Sequence, residues 1–227
     1  QLTRIDPGNT DWSRDLAIGT ERIADILASQ GELPQALATY RESLALLERL
    51  AGTDPEQADW QHDVAVAHVG IGQVLQAQGD WDHALASYRQ GHAIVERLAK
   101  ADPANAVFQR ELSVALNNIG YALASTGKAP EALTMFRDSL AIAERLAGSD
   151  PTNSDWQADL AVCHGNIAGV LQAEGQLAVA LTSLQAGRAI AVRLAEAEPG
   201  DRRRRLGESR LTSRRHRDLV TGAGQRL

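Results

Sequence analysis

Two histidines and one thiol are the first residues whose types suggest chemistry. His68 and His164 occupy equivalent places in a pattern that recurs every 48 residues, and Cys163 adjoins the second. Imidazole and thiolate are the usual zinc ligands, and a Cys–His pair can form a nucleophile with its base. The column that holds the two histidines also holds Thr20 and Leu116, so the position does not demand an imidazole. Equivalent residues would also stand a full repeat apart, about 10 Å for helices packed side by side, which is too far for one ion. His83 and His92 lie nine positions apart on one helical segment and face different ways. Gly70-Ile71-Gly72 sits inside a helical pattern with no strand before it, so it is no phosphate-cradling loop. Asp80 and Asp82 flank a turn and suit helix caps. From these residues no catalytic centre, no metal and no cofactor is expected.

Charge gives a better polar candidate. Arg49, Arg97, Arg145 and Arg193 recur in register, each near the end of a helical segment, where positive charge is favourable. Each also stands within reach of the acid that opens the next unit, which predicts the pairs Arg49–Asp63, Arg97–Glu111 and Arg145–Asp159. The alternative is an anion-binding ladder along the same column.

Those residues are placed by a repeat. Asp-Pro falls at 6–7, 54–55, 102–103 and 150–151, and Glu198-Pro199 takes the same place. Trp12, Trp60, Phe108 and Trp156 keep the same step, as do Ile23, Ile71, Ile119 and Ile167. Leu27, Leu75, Leu123 and Leu171 follow, then Gly31, Gly79, Gly127 and Gly175, then Ala36, Ala84, Ala132 and Ala180. A fixed period of this length marks a stacked array in which each unit touches only its neighbours. The units run over about 8–55, 56–103, 104–151 and 152–199 within an array spanning 1–200. Gln1-Leu2 aligns with Arg49-Leu50, so the chain is expected to begin inside a repeat.

Within a unit the text reads as two helices. In the first unit the pattern predicts one from Trp12 to Ser29, capped by Thr10 or Asp11, with Leu16, Ile23, Ile26 and Leu27 inward. Gln30-Gly31-Glu32 is the turn, and Pro34 opens a second helix that runs to Ala51. Ala36, Leu37, Tyr40, Leu44, Leu47 and Leu50 face inward there. Alanine in the 36, 84, 132 and 180 column lets two helix axes approach closely. The later pairs are Asp59–Gln78 with Trp81–Lys100, Val107–Ser125 with Pro130–Gly148, and Asp155–Glu174 with Leu177–Ala197. Short turns make the two helices of a pair antiparallel.

Residues 201–227 break the pattern. Arg204, Glu208 and Arg215 stand where the repeat requires an aromatic and two apolar residues. The segment carries nine Arg against three acids, while 1–200 carries 14 basic and 26 acidic residues. An acidic array argues against a nucleic-acid surface on it. The tail reads as a basic arm, a polar cover for the last pair, or out-of-frame text, of which the last is favoured. One cysteine allows no intrachain disulfide and suits a reducing cytoplasm. No run of apolar residues approaches the length that spans a bilayer, so no membrane is expected.

Leu116, Ile119-Gly120, Leu123, Ala132 and Phe136 resemble the tetratricopeptide repeat, whose pattern places W-x2-L-G-x2-Y before A-x3-F. His68, Ile71-Gly72, Leu75, Ala84 and Tyr88 repeat the likeness. The period of 48 exceeds the usual 34, as if both helices were longer, and resembles extended arrays of bacterial type. The resemblance implies an all-α fold, a right-handed α-solenoid of antiparallel helix pairs. It implies a non-catalytic scaffold that binds a protein or peptide in a concave groove lined by the first helices. The alternative is the sensor or regulatory arm of a larger signalling or defence effector enzyme, and a third is self-association through exposed ends. Carrying the groove positions over gives Glu21, Asp25, Val69, Gln73, Gln76, Asn117, Tyr121, Gly165 and Gln172, which vary between units. Tyr121 is the expected anchor, and Asn117 offers both a donor and an acceptor to a peptide backbone.

Overall fold

The computed structural model describes residues 9–197. These form eight helices: α1 Thr10–Ser29, α2 Leu33–Thr53, α3 Ala58–Ala77, α4 Trp81–Ala101, α5 Ala106–Ser125, α6 Ala129–Ser149, α7 Ser154–Ala173 and α8 Leu177–Ala197. No strand occurs among the described residues. Consecutive helices pack as antiparallel pairs, and each pair stacks on the next through α2 with α3, α4 with α5 and α6 with α7, an α-solenoid. The basic tail lies outside the described residues.

Local chemistry sets the ends of each helix. Asn9, Asn105 and Asn153 are the N-caps, and their side-chain oxygens accept from backbone N–H groups of the first turn. The caps expected at Thr10 or Asp11 are therefore one or two residues further back, because the chain is already helical at Thr10. Gln57 holds the same place before α3 and makes no such bond. Inside each pair the chain reverses at Gly31, Gly79, Gly127 and Gly175, all at φ between 74° and 83°. That left-handed geometry is costly for a residue with a Cβ, which explains why glycine recurs there. The amide after each glycine donates back to the first helix, as Glu32 N does to Leu27 O at 2.9 Å.

The core is one cluster that runs through all four pairs and a second, smaller one around Ala17, Leu47 and Val64 in the first two. Ala36, Ala84, Ala132 and Ala180 are all buried, as close approach requires. A second small-residue crossing joins the two helices of each pair. Ser43 donates to Ala17 O at 2.9 Å and Ser139 to Ser113 O at 2.9 Å. In the same place Gly91 and Gly187 come so close that a Cβ would fall 3.0 and 3.2 Å from the carbonyl oxygens of Ala65 and Ala161.

Aromatic rings are seated on glycines, but not in a uniform way. A Cβ on Gly72 would fall within 3.0 Å of three Tyr88 ring atoms, and one on Gly120 within 3.0 Å of three Phe136 ring atoms. Those rings rest on their own pair. In the first pair Ala24 occupies the glycine's place, and Tyr40 leans instead on Gly70 of the next pair, where a Cβ would come within 2.8 Å of three ring atoms.

The first helix corrects one expectation. Leu16, Ile23 and Ile26 are exposed, and α1 buries Ala17, Thr20 and Ala24 instead. The equivalents Ile71, Ile119 and Ile167 are buried because α3, α5 and α7 each pack on the second helix of the pair before. Among the described residues α1 has no such neighbour. The far end behaves alike: Leu181 is exposed while Leu85 and Leu133 are buried. One composition-based expectation also changes. α8 is long and apolar enough, by those measures alone, to cross a membrane, although it carries Arg188 and Arg193.

Candidate partner-binding surface

The nine positions expected to recognise a partner all lie on first helices: Glu21 and Asp25 on α1, Val69, Gln73 and Gln76 on α3, Asn117 and Tyr121 on α5, Gly165 and Gln172 on α7. First helices of neighbouring pairs touch directly, α1 with α3 and α5 with α7. Their side chains meet across those joints. Arg14 donates to both carboxylate oxygens of Asp63, at 2.5 and 3.1 Å, and Arg110 to both of Asp159, at 2.6 and 3.4 Å. Two-point guanidinium–carboxylate pairing of this kind fixes orientation as well as charge.

These bonds overturn the arginine pairs expected from sequence. Arg97 donates to Gln61 Oε1 and Arg145 to Gln109 Oε1, each within its own pair, and Arg49 donates to Ala45 O on its own helix. The acids of the next pair are taken from first helix to first helix, by side chains 49 positions earlier. The signal was present in sequence: Arg14 and Arg110 share a column, as do Asp63 and Asp159. His62 and Glu111 fill those two columns at the middle joint. His62 is half-buried with its Nδ1 3.9 Å from Asp63 Oδ1 and its Nε2 without a partner. The Asp63 carboxylate beside it, helped by Glu111, raises its pKa above the ordinary value despite burial. Burial pushes Asp63 upward, but the nearby His62 and the two bonds from Arg14 outweigh it and hold the carboxyl below its usual range.

Next to this, Glu21 is half-buried, and its Oε1 has no hydrogen-bond partner. Burial, reinforced by Asp63, pushes its pKa up to about 7. Asp25, one turn further on, is exposed and accepts the hydroxyl of Tyr40. Gln73 and Gln172 are exposed, and Gly165 is exposed with open space where a Cβ would stand. Val69 is half-buried. Gln76 accepts from the Tyr88 hydroxyl at 2.8 Å.

Two of the nine are more deeply engaged. Tyr121 is half-buried with its ring against Trp81, centroids 5.9 Å apart. Asn117 donates to Ser139 Oγ at 2.7 Å and to Cys163 Sγ at 3.4 Å, and accepts from Asn166 at 3.2 Å. Both functions of its amide are thus satisfied by the protein itself. Cys163 is buried in this polar chain, and burial raises its pKa, so it is a poor nucleophile. His68 is buried, with its Nδ1 unpartnered, and burial lowers its pKa, which keeps it neutral. No group of three or more His, Cys, Asp or Glu side chains among the described residues could hold a metal ion.

Two family models match the chain, both described as tetratricopeptide repeat, over residues 15–97 and 112–153. No curated protein matches it. Among solved structures it is similar to BtubC (BKLC) from P. vanneervenii, at 18% identity and a TM-score of 0.52, covering 85% of each chain. It is also similar to the apo form of RapI, at 13% identity and a TM-score of 0.49, covering 85% of this chain and 74% of the other. At 18% identity the likeness to BtubC is one of fold.

Proposed function

Proceeding from a tetratricopeptide repeat array, we propose that the chain is a non-catalytic scaffold that holds an extended peptide segment of a partner protein along its first helices. The observation that carries this is a contrast between two kinds of column. Positions that stack, such as Ile71, Ile119 and Ile167, are nearly invariant from unit to unit. Positions on the touching first helices, such as Asp25, Gln73 and Tyr121, differ in each unit. Stacking does not require that difference, and an extended surface of unlike side chains is what solenoids use for recognition. The exposed Asp25 gives the α1 end of that surface a negative character, which suits a basic residue of the segment there.

The test is a peptide selected on the immobilised protein, then titrated by fluorescence anisotropy. Gln73→Arg and Gly165→Arg place bulk on exposed positions of the surface and should weaken binding at least tenfold. Gln35→Arg, exposed on α2, should leave it unchanged. Equal affinity of all three variants with wild type would end the reading.

A further inference from the structure

A cleft of about 230 Å³ opens between α2 and α4, with α3 as its floor. It follows from the way the first two pairs stack: α1 and α3 touch, whereas α2 and α4 do not pack on each other as those two do. Leu44, Ile71 and Leu75 make the cleft apolar, and Arg41 and Gln90 stand exposed at its rim. The His68 ring lines it as well. That side chain is only 8% exposed, yet its Nδ1 has no hydrogen-bond partner. Stacking does not call for an imidazole there, because Leu116 fills the same column in the third pair and is equally buried. Arg41 is likewise unused: it enters no hydrogen bond or ion pair among the described residues. Among those residues no Asp or Glu lines the cleft, although the array as a whole is acidic. His83 lines it too, but is already paired with Asp80, Nδ1 to Oδ1 at 2.8 Å.

From this we propose that the cleft binds a small carboxylic acid with an apolar body, a single ring or a short aliphatic chain. The planar guanidinium of Arg41 suits the two oxygens of a carboxylate. The His68 imidazole and the Gln90 amide supply further N–H donors. The body of the acid lies against Leu44, Ile71 and Leu75. The size fits, since an apolar cavity of about 150 Å³ already takes up benzene. Inorganic phosphate would leave that apolar floor unused. The following joint is built differently. Arg89 keeps the arginine there, but Leu116 and Met135 stand in place of His68 and Ser87, and the acid Asp138 stands in place of Gln90. None of the nine first-helix positions lines the cleft, so this site is separate from the proposed peptide surface.

Titration of the full chain with phenylacetate and with hexanoate, followed by ¹H–¹⁵N NMR, tests this. Both acids should shift the amides around Arg41, His68 and Gln90 and saturate near or below about 1 mM. Phenylacetamide and hexanamide, which lack the charge, should bind roughly tenfold more weakly. Arg41→Gln should weaken binding of the acids roughly tenfold, and His68→Leu, which installs the side chain of the next joint, roughly fivefold. Arg89→Gln should leave it unchanged. Circular dichroism of each variant checks that the helices persist, and Arg41 is exposed, so its replacement leaves the core untouched. A peptide that ends in phenylalanine with a free carboxylate and binds more tightly than phenylacetate supports the same chemistry, with a chain terminus as the source. The absence of any shift with either acid at tens of millimolar overturns the proposal. So does equal affinity for acids and amides, full affinity in Arg41→Gln, or inorganic phosphate binding as tightly as the acids.

Discussion

The seating of Tyr40 gives a prediction whose magnitude can be worked out from neighbouring pairs. Tyr40 is 6% exposed and lies over Gly70, where an alanine methyl would come within 2.8 Å of three ring atoms. Overpacking of this kind costs about 1–3 kcal/mol. Alanine also gains about 1 kcal/mol over glycine in helix propensity. Gly70→Ala should therefore destabilise by a net of up to about 2 kcal/mol. It also displaces the Tyr40 hydroxyl from Asp25. The second and third pairs show another seat: Tyr88 and Phe136 rest on Gly72 and Gly120, the column that Ala24 fills in the first pair. Ala24→Gly alone should cost about 1 kcal/mol through propensity. Combined with Gly70→Ala, it opens the other seat, and Tyr40 can turn onto its own pair. The double variant should then be more stable than the sum of the two changes by at least about 1 kcal/mol, a coupling typical of residues in contact. Urea unfolding followed by circular dichroism measures all four proteins. Additivity within about 0.5 kcal/mol would refute the idea that a ring needs a glycine on one side or the other.

Other expectations follow from single sites. Glu21 has a folded pKa of about 7 against an ordinary 4.5, so its favourable contribution is complete below pH 4.5 and is lost as pH rises through 7. Glu21→Gln should remove that slope and gain about 1–2 kcal/mol over wild type at pH 8, after allowance for partial exposure; parallel pH profiles would contradict it. Gln57→Asn restores the side-chain cap that α3 lacks and should raise stability by about 1 kcal/mol, read as a shift in urea midpoint at unchanged slope. Gly165→Ala meets only open space and should stabilise by about 0.5–1 kcal/mol, whereas Gly120→Ala meets Phe136 and should destabilise; thermal melts with the same sign for both would show that the packing is misread.

The repeat made most of the fold legible. Columns of Ile, Leu, Ala and Gly at a constant step located all eight helices to within two residues, and the turn glycines marked every reversal inside a pair. What periodicity does not carry is position within the stack. Ile23 and Ile71 are the same letter in the same column, yet one is exposed because burial depends on a neighbouring pair. Side-chain pairing failed for a related reason. Arg97 and Arg145 bond glutamines on their own pair instead of Glu111 and Asp159, and the acids expected for Arg49 and Arg145, Asp63 and Asp159, belong to Arg14 and Arg110. For the candidate surface, sequence variation picked out the first helices. It could not separate Gln73, which faces solvent, from Asn117, whose amide is already bonded on three sides.

The joints between pairs are stitched unequally. Between the third and fourth pairs run the Arg110–Asp159 bridge, the Asn117–Cys163, Ser139–Cys163 and Asn166–Asn117 bonds, and a bond from Gln157 to Ala147 O. Arg14–Asp63 bridges the first joint, and at the second Gln109 donates to Ala99 O. A spring wound from near-copies thus has its polar stitching gathered in the last coil, while the middle coil is closed by ring contacts instead, Trp81 against Tyr121 and His62 against Phe108.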